Sequence, residues 1–256
     1  MTLYILVNHN GINSKMSRKF GNQELLITTD AWIADNILHH KHLIVEKRYP
    51  HEDIDKAKAS IHDLDILKCD ISDMEIQEIY TGYNIYKAKL LTYSVVHDHE
   101  KLRSIRNNLL ESRELNSDFF DRTNYKLLDG TIDTKCTVNS SRIDVSFNYQ
   151  IDKSTKNIEE SISRQVSYSS KLLADIDIKK IKTYIATELL DTARNWLDDE
   201  QNIDINSFAE RIVLEEFSIY DDLEYTFSFN DNDIFAGHYV HARGKMDEGL
   251  VEAYMQ

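Results

Sequence analysis

Two stretches of this chain gather side chains that can hold a metal ion. Asp231-x-Asp233, followed by His238 and His241, puts four oxygen and nitrogen donors into one short segment, a donor mix that suits a transition ion. Strand geometry counts against it, because residues three apart on a strand point to opposite faces, which separates His238 from His241. Asn and Asp also have an ordinary place in turns. A calcium loop would need a longer acidic pattern with a central glycine and a terminal Glu. His39-His40-x-His42 is the densest histidine group. On a helix His39 and His42 share a face, but no Cys or carboxylate follows at chelating spacing. A solvated helix end accounts for it. The expectation is no bound metal and no cofactor, with His238 and His241 as the runner-up metal ligands.

Catalytic patterns are equally sparse. No Ser, Cys or His sits in a nucleophile elbow or a comparable local signature. Glu215-Glu216 and Asp221-Asp222 are sequence neighbours. On a regular strand such neighbours point apart, so neither reads as a paired-carboxylate site. Phosphate-cradling loops need glycine, because backbone must approach phosphate closely. The chain has only seven glycines and one proline, Pro50. Its residues therefore read as non-enzymatic. The alternative is an enzyme or metal-binding protein using Asp231, Asp233, His238 and His241.

Composition narrows the partners. Of 256 residues, 41% are hydrophobic and 29% charged, with 44 acidic against 30 basic side chains and a net charge of -14. That is enough apolar content for a packed core. An anionic surface repels phosphate backbones and acidic lipid heads, so neither nucleic acid nor membrane is an expected partner. It suits a basic protein, although solubility alone also explains an acidic surface. Cys69 and Cys136 are too few and too far apart for a disulfide framework and read as small, reduced core residues. Met1 to Asn8 reads as a strand rather than a signal peptide, and no apolar run is long enough to span a bilayer. The expected location is the cytoplasm.

The elements that must position these residues follow from periodicity. Leu3–Val7, Leu25–Thr28 and Leu43–Val45 read as strands, and Asp30 is expected to cap a helix through Trp32, Ile33, Ile37 and Leu38. Ser72-Asp73-Met74-Glu75 matches a capping box for a helix to about Tyr80, with Gly82 as its left-handed stop. Tyr83–Tyr93 alternates as a strand, and Asp98 can start a helix through Leu102, Ile105 and Leu109. A second unit is expected from Ser117, giving regions 1–116 and 117–256. There Asp129-Gly130 signals a hairpin joining Tyr125–Leu128 to Thr131–Val138. Ile143, Val145, Phe147 and Tyr149 mark the next strand. Ile158 to Leu173 and Ile178 to Trp196 are amphipathic helices, the second ending before Asp198-Asp199-Glu200. Ser207 and Glu210 suggest a further capping box. The C-terminal meander comprises a strand with Phe217 and Ile219, a core strand with Leu223, Tyr225, Phe227 and Phe229, then Ile234–Ala242 and Leu250–Met255. The fold class is α+β: antiparallel sheets with helices packed on one face, in two units.

Within that second unit, Phe217-Ser218-Ile219-Tyr220 is followed by an aromatic strand, Tyr225 to Phe229. The acidic turn Asn230-Asp231-Asn232-Asp233 leads into Ile234-Phe235-Ala236-Gly237-His238, and Gly244-Lys245-Met246-Asp247-Glu248-Gly249 closes the pattern. Over about residues 124–256 the chain resembles the bacterial domain of unknown function 2262 family. It departs from the family pattern at Ala236, where members often carry Trp, and at Gln256, where they often carry Gly. Leu67 to Leu91 looks like a segment that often precedes this domain. The resemblance implies an association with bacterial toxin–immunity loci. It leaves Gly237 and His238 as a close backbone approach and a buried polar contact, or else as a ligand grip.

The functional expectation is an immunity protein that binds a basic bacterial toxin domain, with acidic residues filling a groove made for phosphates. The residues expected at the interface are Asp221, Asp222, Asp231 and Asp233, with Tyr220 and Tyr239 near turns where tyrosine can be exposed. A third reading is a structural or regulatory protein that associates with its own copies.

Overall fold

The computed structural model describes residues 1–16, 22–78, 84–97, 99–151, 155–197 and 203–256. The chain divides into two compact units, Met1–Glu111 with Ile151–Thr155, and Ser112–Gln150 with Lys156–Gln256.

The first unit contains β1 (Thr2–Leu6), β2 (Ile12–Met16), β3 (Asn22–Thr29), β4 (Ala31–Ala34), β5 (Ile37–His39), β6 (Leu43–Pro50), α1 (Ile54–Ala59), β7 (Ile66–Glu78), β8 (Asn84–Val96) and α2 (Glu100–Leu110). Its sheet has the order β2-β3-β6-β8-β7-β1-β4-β5. One face is a core of Leu3, Ile5, Leu25, Ile27, Val45, Leu67 and Cys69, against which Ile54 and Ala57 of α1 pack. Tyr4, on the alternate face of β1, meets His99 at the start of α2.

Two helices expected here are strands. Trp32 and Ile33 lie on β4 and Leu38 on β5, joined by Asp35 and Asn36 at φ 48° and 64°. Both residues tolerate the left-handed conformation that a two-residue hairpin demands. The Ser72–Glu75 pattern is a bulge within β7, not a helix start. Ser72 pairs with Lys89 and Glu75 with Lys87, and Asp73 adopts φ 51°. Gly82 and Asp98 fall outside the described residues, and α2 begins at Glu100.

The second unit contains β9 (Ser112–Leu115), β10 (Thr123–Lys126), β11 (Thr131–Val138), β12 (Ser141–Asn148), α3 (Thr155–Ala174), α4 (Ile178–Trp196), α5 (Ile205–Arg211), β13 (Val213–Ile219), β14 (Glu224–Asn230), β15 (Tyr239–Lys245) and β16 (Gly249–Met255). Strands β11 to β16 form a six-stranded sheet in chain order, parallel between β12 and β13 and otherwise antiparallel. The three helices form the crossover that the parallel pair requires.

Three boundaries shift from expectation. Gly130 is left-handed, but it ends a single 3-10 turn, and β10 pairs with β9 rather than β11. The cap of α5 is Asp204, with Ser207 as the third helical residue, one turn earlier than the Ser207–Glu210 pattern suggests. Ile234 to His238 is a turn, interrupted by positive φ at Ala236 and Gly237, so β15 starts only at Tyr239. Ile234 and Phe235 are buried by packing, not by strand pairing. Asp198-Asp199-Glu200 lies outside the described residues.

Alternation gives the six-stranded sheet one apolar face. Ile143, Val145, Phe147, Phe217, Ile219, Tyr225, Phe227, Phe229, Val240 and Ala242 are all buried, as are Ile158, Ile181, Ile185 and Leu189 of the helices. Burying one such aromatic ring is worth about 1.5–3 kcal/mol, against roughly 1 kcal/mol net for a neutral hydrogen bond. Packing therefore holds the helices, and polar links orient them. Ser161 and Gln165 of α3 face inward, buried. Ser161 Oγ donates to the Asp221 carboxylate, and Gln165 Nε2 donates to Asn148 O at 2.9 Å. The other Asp221 oxygen accepts Gln150 N–H at 2.9 Å. One carboxylate thus ties α3 to the ends of β12 and β13. A different fit governs β15, where a Cβ on Gly244 would overlap the Tyr225 ring.

Asp221→Ala should destabilise the fold by about 2–3 kcal/mol in urea unfolding, because it strands the buried Ser161 hydroxyl and removes the acceptor of Gln150 N–H. Ser161→Ala should cost less, since Asp221 keeps its backbone donor. Gly244→Ala should cost about 1–3 kcal/mol, and adding Tyr225→Leu should recover part of the loss. An additive double variant would show that the Tyr225 ring is not the obstacle.

Candidate functional site

The face of the six-stranded sheet opposite the apolar one carries polar side chains in rows. One row runs Glu216, Ser228, His241, Tyr254 across β13 to β16. Another places Val213, Asn230 and Tyr239 in register. Between them the pairing of β13 slips: Leu214 faces Phe229, and the next paired residue, Glu216, faces Ser228. Glu215 is the extra residue of a β-bulge. A bulge breaks the two-residue period and re-aims the side chains beside it. Leu214 and Phe217 are both buried, and Glu215 and Glu216 between them are both half-buried.

The sequence expectation that Glu215 and Glu216 point apart is therefore overturned. The Tyr239 hydroxyl donates to Glu215 Oε2 at 2.6 Å, and the Ser218 hydroxyl donates to Glu216 Oε1 at 2.8 Å. The hydrogen bond to Glu215 and the Glu215 charge, then burial and the charges of Glu216 and Asp144, hold the Tyr239 hydroxyl above its ordinary pKa. Both carboxylates thus act on the same hydroxyl. The bulge was visible as a phase slip. Apolar Ile212 and Leu214 occupy even positions, whereas Phe217 and Ile219 occupy odd ones, with two glutamates at the change.

Aromatic rings flank the pair. The His241 ring stacks on Tyr254 with centroids 4.9 Å apart and planes at 27°, and the Tyr239 ring centroid lies 6.3 Å from it. His241 Nδ1 and Ser228 Oγ are 3.0 Å apart. Burial lowers the His241 pKa, opposed by the Glu216 charge, so the ring is neutral at pH 7. Several other carboxylates of this face have cations: Asp144 pairs with Lys135, Glu252 with Arg243 and Glu224 with Lys245. Asp133, on the same face, is held by the Thr131 and Ser146 hydroxyls. Glu215 and Glu216 are bound by neutral hydroxyls, and among the described residues no ion pair reaches them.

The residues singled out from sequence fall into two groups. Asp221 and Asp231 are not available to a partner. Asp221 pins α3, as described above, and Asp231, almost fully buried, accepts Asp233 N–H at 3.2 Å and Phe235 N–H at 2.5 Å to close its own loop. Their acidity serves backbone donors that turns leave unpaired. Asp222 and Asp233 are exposed, and Asp222 accepts Glu224 N–H at 3.1 Å. Tyr220 and Tyr239 are exposed, and Tyr239 alone of the six touches the bulged pair.

The histidine candidates do not converge on an ion. His238 is exposed and meets the Trp196 ring edge-on, while His241 is engaged with Ser228 and Tyr254. The segment with His39 and His42 is not helical: His39 stacks on Trp32 at 4.0 Å, and His42 lies 2.7 Å from Asp30. Among the described residues, no three His, Cys, Asp or Glu side chains gather closely enough to hold a metal. Burial pushes the Cys69 thiol up to about 12 and that of Cys136 to about 11, so neither is a nucleophile at neutral pH. No helix among the described residues is long and apolar enough to cross a membrane.

No curated protein matches the chain. Residues 123–255, spanning β10 through the C-terminal strand and with them the bulged glutamates, match the model of a family described as an uncharacterized protein conserved in bacteria (DUF2262), and the chain belongs to that family.

Proposed function

We propose that this protein is a non-enzymatic binder of a basic protein partner, of the immunity type that blocks a bacterial toxin domain by direct contact. The observation that supports this reading is the bulged pair Glu215 and Glu216, set beside exposed tyrosine with no cation paired to it among the described residues. A cation arriving from a partner would meet two carboxylates on one face that hold only neutral hydroxyls. A net charge of -14 adds long-range attraction for a basic surface. The cytoplasm, where such partners would be neutralised, is part of the same proposal.

The metal or enzyme reading through Asp231, Asp233, His238 and His241 has less support. Asp231 is closed into its loop and His241 into its stack, which leaves exposed Asp233 and His238 without a shared geometry.

Co-expression with the protein of the neighbouring reading frame should give a complex that co-purifies and should restore growth if that protein is toxic. Raising salt should slow association. Absence of both complex and growth rescue would remove the proposal.

A further inference from the structure

We infer that the helix-free face of the second sheet is the docking surface, and that it receives an arginine side chain from a basic segment of a protein partner, set against Glu215, Glu216 and the Tyr239–His241–Tyr254 rings. This rests on the protein-binding reading and names where and by what chemistry binding occurs.

Charge complementarity selects the occupant. Lys135, Arg142, Arg243 and Lys245 project from strands of this sheet, and each already pairs with a carboxylate other than the bulged two. The Glu215–Glu216 carboxylates therefore call for positive charge that the described part of the chain does not provide. Exposed apolar surface adjoins them. Val213 is 45% exposed, Tyr220 45% and Tyr239 40%, and aromatic anchors beside a charged pair are the make-up of an interface centre.

Arginine fits better than lysine. Its planar fork can donate to two carboxylates at once and lie flat on a ring, whereas an ammonium is a point charge. The rings offer such a platform, with His241 and Tyr254 nearly parallel. His241 is neutral at pH 7 by burial, so it does not repel a cation. A second copy is disfavoured as occupant, because a two-fold interface would set this acidic face against itself.

Short capped peptides carrying two arginines, two lysines or two citrullines test this directly on the intact protein. Binding is read by calorimetry and by NMR shifts of the Tyr239 and His241 rings. The arginine peptide is expected to bind and to move those rings, and the citrulline peptide to bind at least about tenfold more weakly. Glu215→Gln with Glu216→Gln should weaken arginine binding by at least about tenfold. Glu160→Gln with Glu188→Gln, the same charge change on helices α3 and α4, should change it less than about twofold. Equal binding of citrulline or lysine, an equal loss in the helix variant, or no ring shifts would overturn the inference. So would a wild-type dimer in sedimentation that the Glu215/Glu216 variant dissociates. The citrulline arm needs no variant, so a folding defect does not blunt the test. A co-purifying partner whose binding ignores the Glu215/Glu216 variant would sink this inference and leave the broader reading standing.

Discussion

The second unit depends on the two-residue alternation of its strands, because every helix it contains lies against one side of the sheet. Buried Phe147, Phe217, Phe227 and Phe229 must all point that way, which commits their sequence neighbours to the other side. The polar face is a consequence of the core, not a separate invention. What the core does not dictate is how charges on that face are paired. Most are answered within the sheet, in cross-strand pairs such as Arg243–Glu252 and Lys245–Glu224, whose exposure leaves them weakly stabilising. The pairing slips twice, between β15 and β16 and in β13, and the extra residue in β13 puts two carboxylates where regular pairing would put one.

How far the chain could be read in advance follows from how local each signal is. Long periodic segments came through: Ile158 to Leu173 and Ile178 to Trp196 are α3 and α4, and Tyr225, Phe227 and Phe229 lie buried on one strand. Short segments did not. Trp32, Ile33, Ile37 and Leu38 carry a helical spacing, but four apolar residues cannot outweigh a hairpin turn at Asp35-Asn36 and pairing of β4 with β1. Ser72-Asp73-Met74-Glu75 has the residue types of a helix start, yet it sits in a strand of thirteen residues that pairs with β1 up to Asp70 and with β8 before and after the motif. Tertiary pairing overrides a four-residue motif wherever the flanking strands are already committed.

The candidate site was legible only in part, for the same reason. Tyr239 stands out in the sequence for its position near a turn, and its hydroxyl meets Glu215. Asp221 and Asp231 were singled out for acidity, which is a property of the residue and not of its surroundings. Both carboxylates turn inward to backbone donors, at the end of β13 and in the loop before β15. Glu215 and Glu216 were dismissed by applying the strand period where the strand breaks it. The slip from even to odd apolar positions across residues 212–219 is present in the sequence, but it marks a bulge only once β13 is known to pair with β14.

Net charge and local charge then have different jobs. The -14 of the whole chain acts over about a Debye length, near 8–10 Å at ordinary salt, and favours any basic surface equally. It can hasten an encounter, but it cannot choose an orientation. Orientation requires a place where charge is unmatched within a few ångströms and where rings restrict how a cation may lie. Several carboxylates of this face are bridged by cations, and those at the bulge in β13 are not among them. An acidic protein with evenly paired surface charges would attract many partners and hold none in particular. The extra residue in β13 departs from such evenness, because it sets Glu215 and Glu216 on one face with hydroxyl partners and, among the described residues, no ion pair.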